Sequence, residues 1–347
     1  MNASGVEAEI SSALHIPVML PEVLAALQPK DKGVYVDGTF GAGGYSRAIL
    51  GAADCAVLAI DRDPSAILRG REMELEFAGR LTLIEGCFGD MAELVRALGH
   101  EAVDGVVLDL GVSSMQIDEA ERGFSFQKDG PLDMRMGATG LSAADVVNRF
   151  DESDLARIFA VYGEEKRARA VARAIVAARA EADFERTLPL ADIVARAVGG
   201  RRHEQRIHPA TRTFQALRIY VNDELGELAR GLGGAEELLR PGGRLAVVAF
   251  HSLEDRIVKR FLTERTGRTA RPSRHMPMGG GGPLPSFMDI GRGAQAANDG
   301  EAWQNPRARS AKLRAAERTE APLLPLDTDV LGLPVITRNR TTRRRRA

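Results

Sequence analysis

The chain has 347 residues, of which 44% are apolar and 27% are charged, a composition typical of a globular rather than a disordered protein. Its 47 basic and 48 acidic side chains nearly cancel, so a nucleic-acid-binding surface would have to be a local patch, and two cysteines exclude a disulfide framework. The N-terminus lacks the pattern of a signal peptide and no run of eighteen apolar residues occurs, so we expect no membrane span and a cytoplasmic protein.

The first strongly patterned stretch, residues 34–46, is an apolar run that ends in an acid and continues into a glycine-dense turn. Glycine permits positive φ angles and close approach of a ligand, and a helix beginning near Ser46 would direct free N–H groups at that ligand. The dinucleotide pattern G-x-G-x-x-G fails, because Ser46 stands where glycine is required. The spacing is closer to the first motif of S-adenosylmethionine-dependent methyltransferases, with an ordinary tight turn as the alternative.

The next segments alternate between strand and helix. Apolar runs at 56–60, 81–84 and 103–108 predict strands, and the first and third end in Asp61 and Asp109. Asp63-Pro64 predicts the start of a helix that ends near residue 79, and Asp90 with Glu93 predicts a capped helix that runs to residue 98. Strands that are apolar throughout and joined by helices favour a doubly wound, parallel α/β sheet.

The alternation stops at residue 113, and a polar, helical stretch follows. One predicted helix face carries Leu155, Ile158, Phe159 and Tyr162; a second carries Ala170, Val171, Ala174, Ile175 and Ala178. The sheet pattern resumes with a long helix over 213–239, a Pro-Gly-Gly turn, a strand over 245–250 and a helix from residue 253. The last strands fall between 287 and 318, after a glycine-rich loop at 276–285.

This pattern predicts three segments. A discontinuous nucleotide-binding domain covers 15–112 and 213–318, a helical substrate-recognition domain is inserted at 113–212, and 319–347 form a basic, disordered tail.

Ligands of open parallel sheets lie outside the carboxyl ends of the strands, so strand-end residues are the candidates for binding. Asp61 follows the glycine turn at the spacing where such folds have an acid that binds the ribose hydroxyls. The alternative role for Asp61 is helix capping, but Asp63 already fits that role. Phe88 either lies against a purine or packs in the core. Asp109 ends the fourth strand, where methyl transfer to an amine would need a proton acceptor.

Six motifs together carry a resemblance to a known family. They are Asp37-Gly-Thr-Phe-Gly, Asp109-Leu-Gly-Val-Ser-Ser, Arg122-Gly-Phe-Ser-Phe, Gly130-Pro-Leu-Asp-Met-Arg-Met, His208-Pro-Ala-Thr-Arg-Thr-Phe-Gln and Phe250-His-Ser-Leu-Glu-Asp-Arg-Ile-Val-Lys. In this order they resemble the bacterial small-subunit (16S) ribosomal RNA cytosine-N4 methyltransferases, over residues 15–318. The resemblance implies a class I, Rossmann-like methyltransferase fold with an inserted domain, which methylates a cytosine amine near the ribosomal decoding site.

The resemblance also implies a set of residues that bind S-adenosylmethionine. They are Gly43, Gly44, Tyr45, Asp61, Phe88, Asp109 and Gln116. Many members of the family have histidine where this chain has Tyr45, so contact between the Tyr45 ring and the cofactor is left open, whereas the Tyr45 backbone N–H can still serve the cofactor.

Asp109 is the candidate proton acceptor, although Leu110-Gly111-Val112 departs from the two prolines and aromatic residue usual after the acid in amino-methyltransferases. Asp109 acting only as a cofactor ligand remains the alternative. Carbon-5 methylation would need a cysteine nucleophile, and neither Cys55, before a buried strand, nor Cys87, beside the expected adenine, suits that attack.

A basic span predicts the RNA-binding surface, with a solvated helix face as the alternative. It contains Arg196, Arg201, Arg202, His203, Arg206, His208, Arg212 and Arg218. Four nearby side chains either stack on a flipped base or fill the joint between domains: Phe124, Phe126, Met134 and Arg135. A second basic group is Arg307, Arg309, Lys312 and Arg314, and residues 343–346 form an arginine tail. Helix capping accounts for His251, Glu254 and Asp255, so no metal is assigned.

Three functions remain open at this point. The first is the RNA methyltransferase; the second is an RNA-binding ribosome-assembly factor without turnover; the third, a small-molecule methyltransferase, is disfavoured by the basic span. The sequence does not distinguish naked RNA from an assembled small subunit as the substrate, and it leaves the oligomeric state open.

Overall fold

The computed structural model describes residues 17–199, 208–268, 283–291, 293–334 and 336. Its contacts divide the chain into two compact units. Of the described residues, the sheet unit comprises those up to Asp61, those in 65–110 and those in 234–324, and the helical unit comprises those in 62–64, those in 111–233 and those from 325 onward. The helical unit therefore extends beyond the predicted 113–212 at both ends, and it includes three residues that directly follow Asp61.

The sheet unit contains all eight strands and six helices of the described chain. The strands are β1 (Val34–Asp37), β2 (Ala56–Asp61), β3 (Leu81–Glu85), β4 (Val103–Asp109), β5 (Leu239–Ala249), β6 (Phe287–Asp289), β7 (Gln295–Ala296) and β8 (Lys312–Arg318). The helices are α1 (Leu20–Leu27), α2 (Gly44–Ala52), α3 (Pro64–Glu76), α4 (Met91–Ala97), α12 (Ser252–Arg265) and α13 (Asp299–Gln304). The helices numbered between α4 and α12 belong to the helical unit, except for one helix that crosses the boundary between the two units.

The strand order is β3-β2-β1-β4-β5-β8-β6, with β7 paired to β8. The first five strands are parallel, and β8 runs antiparallel to β5, β6 and β7. Every residue from Val103 to Leu108 is buried, as expected for a central strand covered on both faces. The predicted α/β class with a parallel sheet is confirmed, and Asp37, Asp61 and Asp109 each end a parallel strand at the same edge.

One predicted cap makes no side-chain hydrogen bond, and one predicted helix is interrupted. Asp90 precedes α4 but makes no side-chain capping hydrogen bond, because it ends a 3-10 turn (Phe88–Asp90) and does not have the extended backbone of a capping residue. The predicted helix over 213–239 is two helices, α10 (Thr211–Asn222) and α11 (Glu224–Leu238). They are separated by Asp223, whose φ of 50° is left-handed and ends α10.

The helical unit has its own core. Its remaining helices are α5 (Ser114–Asp118), α6 (Ala143–Arg149), α7 (Glu152–Tyr162), α8 (Ala168–Ala178), α9 (Thr187–Val198) and α14 (Thr328–Leu331), and α11 crosses from this unit into the sheet unit. On α7, Leu155, Ile158 and Phe159 are buried as predicted. On α8 the buried face is Ala168, Val171, Ala172 and Ile175, and Ala170 is exposed, so the predicted face was rotated.

The segment after residue 318, predicted to be a disordered tail, is partly ordered. Leu331 of α14 is fully buried, and the Tyr162 hydroxyl donates a hydrogen bond to the Pro334 carbonyl at 3.4 Å. The glycines of the loop at 276–285 and the arginines at 343–346 lie outside the described residues. Among the helices that the structure describes, none is both long and apolar enough to cross a membrane.

Candidate active site

The glycine turn connects β1 to α2 and is shaped by packing. Gly43 has a φ of 76° and precedes the first residue of α2, Gly44. A Cβ added to Gly43 would lie 2.7 Å from the Phe40 ring, and one added to Gly44 would lie 2.3 Å from Pro17 Cγ. Because Gly43 brings no capping side chain, the first turn of α2 presents backbone N–H groups in the arrangement that binds polar ligands.

Asp37 lies at the start of this turn and is fully buried. Its Oδ2 accepts a hydrogen bond from the Ser46 hydroxyl at 2.7 Å, and its Oδ1 accepts one from the Thr39 backbone N–H at 3.2 Å. Burial raises the pKa of this carboxyl to about 6, the hydrogen bonds from Ser46 and Thr39 oppose that rise, and the neighbouring charge of Asp61 adds to it.

Asp61 ends β2 and is joined to the glycine turn. Its Oδ2 accepts a hydrogen bond from the Gly41 backbone N–H at 2.7 Å, and the Phe40 N–H donates to the Ile60 carbonyl at 2.9 Å. The strand-end argument had placed Asp61 beside this turn, and the structure brings the two together within the sheet unit. Its predicted role as a ribose ligand stays a prediction.

Asp109 ends β4 and is partly buried. Its backbone N–H donates to the Thr39 hydroxyl oxygen at 2.7 Å, so Thr39 contacts both Asp37 and Asp109. Within the described chain, the Asp109 Oδ1 is enclosed and has no hydrogen-bond partner. Burial raises the pKa of Asp109 well above its usual range, and the negative charges of Asp37 and Glu254 raise it further.

Phe88 begins the 3-10 turn after β3 and is partly buried. A Cβ added to Gly38 would lie 2.5 Å from Leu108 Cδ2 and 3.2 Å from Phe88 Cβ. Gly38 therefore has no side chain because β4 and Phe88 approach the turn closely. Phe88 is brought beside the glycine turn as the sequence argument required.

The Tyr45 side chain is directed into the core of the sheet unit. The ring is buried among apolar residues, and its hydroxyl donates a hydrogen bond to the Val18 carbonyl. Burial, followed by the charge of Asp109, raises the pKa of this phenol well above its usual range. This placement leaves only the Tyr45 backbone N–H to the expected ligand, which is the part of the residue that the sequence argument favoured.

Gln116 belongs to the helical unit and is buried there. Its Oε1 accepts a hydrogen bond from the Ser113 N–H at 3.1 Å, and the Ser113 hydroxyl accepts one from the Gln116 N–H at 3.2 Å, which together cap α5. Its Nε2 donates to Asp63 Oδ2 at 3.0 Å. Asp63, predicted only as a helix cap, also accepts from Arg122 Nη1 at 2.7 Å and so anchors the Gln116 amide.

The basic span is less uniform than its sequence indicated. Arg218 forms two hydrogen bonds of 2.8 Å with Glu224, and Arg212 donates to the Glu164 carbonyl at 3.0 Å. Arg196 is exposed on α9. Residues 201–203 and 206 of the span lie outside the described residues. Arg218 is therefore neutralised within the helical unit.

The aromatic residues near the span pack in the helical unit. Phe126 lies 4.7 Å from the rings of both His208 and Phe214, and Phe124 packs against the same core. Met134 is fully buried, and the Arg135 guanidinium is paired with the Asp133 carboxylate at 2.6 Å. These contacts favour core packing over base stacking for Phe126 and Met134.

The second basic group belongs to the sheet unit. Lys312 and Arg314 both donate to the Asp255 carboxylate, at 3.0 and 2.8 Å, and Arg309 is exposed. His251 and Glu254 form a capping box at the start of α12, in which Glu254 Oε2 accepts from the His251 N–H at 3.1 Å. The same oxygen also accepts from the Phe250 N–H at 2.8 Å. The predicted capping role therefore describes His251 and Glu254, whereas Asp255 is part of an ion-pair network.

Asp37 and Thr39 belong to this site, although the sequence pattern does not predict them as members. The signal for Asp37 was present, since Asp37 ends an apolar strand in the same way as Asp61 and Asp109. Nothing in the sequence indicated that the Thr39 hydroxyl would accept the Asp109 N–H, because that contact depends on how β1 and β4 pair.

Comparison with known proteins gives consistent matches over most of the chain. A model of the MraW methylase family matches residues 12–319. A protein of Parvibaculum lavamentivorans named ribosomal RNA small subunit methyltransferase H is 72% identical over 326 residues, which are 94% of this chain and 96% of that protein. A protein of Rhodospirillum rubrum with the same name is 61% identical over 312 residues, 89% of this chain and 95% of that protein.

The solved structure of an rRNA methylase from Streptococcus thermophilus is weakly similar. It has 10% sequence identity and a TM-score of 0.39, with coverage of 87% of this chain and 94% of that one.

Proposed function

Since this chain belongs to the MraW methylase family, we propose that it transfers a methyl group from S-adenosylmethionine to the exocyclic N4 amine of a cytidine in small-subunit (16S) ribosomal RNA, near the decoding site. The relatives named ribosomal RNA small subunit methyltransferase H support the RNA substrate. The main observation in support of this reaction concerns the Asp109 carboxyl group, which lies at the end of β4, beside the glycine turn. One of its oxygens is enclosed and has no hydrogen-bond partner among the described residues.

The residues at this edge of the sheet fit the cofactor. Gly43 and Gly44 form a turn that closely packed neighbours keep free of side chains, and the unpartnered oxygen of Asp109 is the kind of atom that a polar ligand satisfies. The residues proposed to hold it are Gly43, Gly44, the backbone of Tyr45, Asp61, Phe88, Asp109 and Gln116. The cofactor supplies a methyl group on a positively charged sulfur, which leaves as a neutral thioether.

The protein has two tasks in this reaction. It must hold the cytosine amine in line with the methyl group, since such positioning can lower the barrier by about 7 to 11 kcal/mol. It must also accept the proton that the amine loses. Asp109 is proposed for the second task, because it is the strand-end carboxylate with a buried oxygen that no other described group occupies.

The two cysteines support nitrogen rather than carbon-5 as the methylated atom. Carbon-5 methylation needs a thiolate that adds to the ring. Cys55 is buried in the core, its Sγ lies 3.5 Å from the Ile49 carbonyl, and burial raises the pKa of its thiol. Cys87 precedes the Phe88 turn and is only partly exposed.

The helical unit is proposed to recognise the RNA. Exposed Arg196 lies on α9 of that unit, at the start of the basic span. Cationic side chains that contact phosphates make binding weaken steeply as salt rises, so affinity for 16S RNA should fall with salt. A ribosomal RNA substrate also supports a cytoplasmic location, which we propose for this protein.

The test is transfer of a labelled methyl group from S-adenosylmethionine to 16S RNA, followed by mass analysis of the nucleosides. We expect one N4-methylated cytidine, and we expect the Asp61→Ala variant to lose transfer while Asp54→Ala, an exposed acid of the same unit, retains it. Naked 16S RNA and small subunits from cells lacking the protein are compared in parallel. Binding of RNA without any transfer would favour the assembly-factor alternative, and transfer to carbon-5 would refute the proposed target atom.

A further inference from the structure

Four carboxyl groups of the sheet unit gather where the glycine turn meets the strand ends. Asp37, Asp61 and Asp109 end three parallel strands, and Glu254 is buried in the first turn of α12. Asp37 is influenced by the charge of Asp61, and Asp109 is influenced by the charges of Asp37 and Glu254.

No cation compensates the two most affected acids. Within the described part of the sheet unit, the partners of the Asp37 carboxyl are the Ser46 hydroxyl and backbone N–H groups, and the Asp109 Oδ1 has no partner. The titratable groups that face them are Asp61, Glu254 and the Tyr45 phenol, which are acids, while His251 contacts Glu254. A group of uncompensated carboxyls of this kind favours a positively charged ligand.

On the basis of the proposed function, we propose that Asp37 and Asp109 form a proton-exchanging pair. This pair makes the cofactor site select the sulfonium donor over the thioether product. A carboxyl group of the pair gives up its proton to solvent when the donor binds. The pair takes a proton back when the positive charge of the donor is lost. Asp37 is thereby a specificity-determining residue, although it was absent from the predicted site.

Thr39 is the structural connection between the two acids. Its backbone N–H donates to the Asp37 Oδ1 at 3.2 Å, and its hydroxyl oxygen accepts the Asp109 N–H at 2.7 Å. Asp37 is held on its other side by Ser46 at 2.7 Å. Neutral contacts thus hold the Asp37 carboxyl group and the Asp109 backbone, and they leave the charge of both acids uncompensated.

The charges balance through the proposed reaction. The bond between sulfur and methyl breaks with its electron pair retained on sulfur, the amine nitrogen forms the new bond to carbon, and the amine then loses one proton. The carboxylate pair accepts that proton. Before transfer the site holds a sulfonium and a carboxylate, and after transfer it holds a neutral thioether and a neutral carboxyl group, so the net charge of the enclosed groups is unchanged.

The sign of the pH effect follows from this exchange. A cation binds best to the ionised pair, so affinity for the sulfonium donor should rise as pH rises through the elevated pKa of Asp37, about 6. Affinity for the neutral thioether gains nothing from ionisation. Both ligands carry the same amino and carboxylate groups, so the ratio of their affinities isolates the sulfonium charge. That ratio should rise about threefold to tenfold between pH 5.5 and 7.5.

The experiment is titration calorimetry of the full-length protein with S-adenosylmethionine and with S-adenosylhomocysteine across this pH range, in two buffers of different ionisation enthalpy. The buffer dependence counts the protons released. At pH 6 the donor should release more protons than the product does, by up to about one proton per site. Because this measurement uses the unaltered protein, it does not depend on any variant that might misfold.

Two variants test whether the strand-end acids cause the pH dependence of the affinity ratio. Asp37→Asn removes one carboxyl group and its repulsion of Asp109, so the affinity ratio should fall and its pH dependence should flatten. The matched control is Asp104→Asn, which removes an acid at the opposite end of β4 that is paired with Lys30 and should leave the slope of the ratio unchanged.

The outcomes separate the two proposals. If neither ligand binds the unaltered protein, the proposed function fails. If both bind but release equal numbers of protons and keep a constant affinity ratio, the proton-exchanging pair is refuted while the proposed function stands. An equal flattening in the Asp37 and Asp104 variants would also refute it, because the effect would not belong to the strand-end acids.

Discussion

The two ends of β4 carry the same residue type in opposite electrostatic settings. Asp104, near the start, lies 2.8 Å from Lys30 Nζ and 3.4 Å from Arg240 Nη1, and its Oδ2 accepts the Val34 N–H at 2.9 Å. Burial alone would raise its pKa, but these partners hold the pKa below its usual range. Asp109, at the other end, has an enclosed oxygen without a partner among the described residues and a pKa well above the usual range.

The difference shows how one strand serves stability and chemistry at once. The amino end of the sheet surrounds its acid with cations, which lowers the free energy of the folded state when the acid is ionised. The carboxyl end leaves its acids uncompensated, which raises that free energy and preserves a site for a charged or polar ligand. Replacing the acid at each end by an amide should therefore have opposite effects on stability. The following changes test that expectation.

The largest effect is expected for Asp109→Asn. Loss of the proton acceptor should lower methyl transfer by about a hundredfold or more, because general-base contributions are of that size. The melting temperature should stay the same or rise, since the amide removes an uncompensated buried carboxyl. Labelled methyl transfer and thermal unfolding measure the two quantities. A large fall in melting temperature together with full activity would reverse the roles assigned to this end of β4.

The second effect concerns Asp37 and pH. Its folded pKa of about 6 lies above the unfolded value, so the folded state holds the extra proton between roughly pH 4 and 6, and stability from this group is lost as pH rises through that window. The Asp37→Asn variant should therefore gain about 2 to 3 kcal/mol relative to the unaltered protein as pH increases from 4 to 7. Urea unfolding across this range measures the difference, and a constant difference would show that the pKa of Asp37 is not raised.

The third effect is expected for Asp104→Asn and has the opposite sign. The lowered pKa of Asp104 means that its stabilisation is present above the unfolded pKa and is lost as pH falls through the folded one. At pH 7 the variant should lose about 1 to 3 kcal/mol, the range for a hydrogen bond to a buried charged group. Methyl transfer at a temperature where the variant is folded should be nearly unchanged. A selective loss of transfer without loss of stability would contradict the assignment.

The smallest effect is expected for Thr39→Val, which keeps the shape of the side chain. The Asp109 N–H loses its acceptor, which should cost about 0.5 to 1.5 kcal/mol of unfolding free energy. Asp109 would be held less firmly, so transfer should fall by up to about tenfold, the equivalent of 1.4 kcal/mol. Ser65→Ala, at the start of α3 in the same unit, is the control. Equal effects of both changes would show that the Thr39 contact has no special role.

Much of the sheet followed from the sequence because its strands are apolar throughout and end in acids. Asp61 and Asp109 were placed at one edge by the rule for parallel strands, and the structure joins Asp61 to Gly41 as that rule implies. Asp37 follows the same rule, but it directly precedes the glycine turn, and the local pattern alone predicts no ligand role for it. Its burial and elevated pKa depend on neighbours from α2 and β2, which no local pattern reveals.

The errors arose where tertiary contacts override local preferences. The local pattern predicts Asp63 as a helix cap and does not reveal that its carboxylate also anchors Gln116 and Arg122, from segments more than fifty residues away. Asp223 interrupts what reads as one long helix. On α8 the buried positions are displaced because α7 and α9 determine which side is covered, and periodicity alone gives the spacing of a face but not its direction.

The buried Tyr45 hydroxyl also has a consequence for how sequences of this family can diverge. It is bonded to the Val18 carbonyl, and the adjacent Gly44 has no room for a side chain because Pro17 lies against it. A shorter ring at position 45, such as that of histidine, cannot make the same bond without a shift of residues 17–19. Position 45 and residues 17–19 should therefore vary together among related sequences. A chimaera that takes position 45 from one relative and residues 17–19 from another should pack poorly where these residues meet.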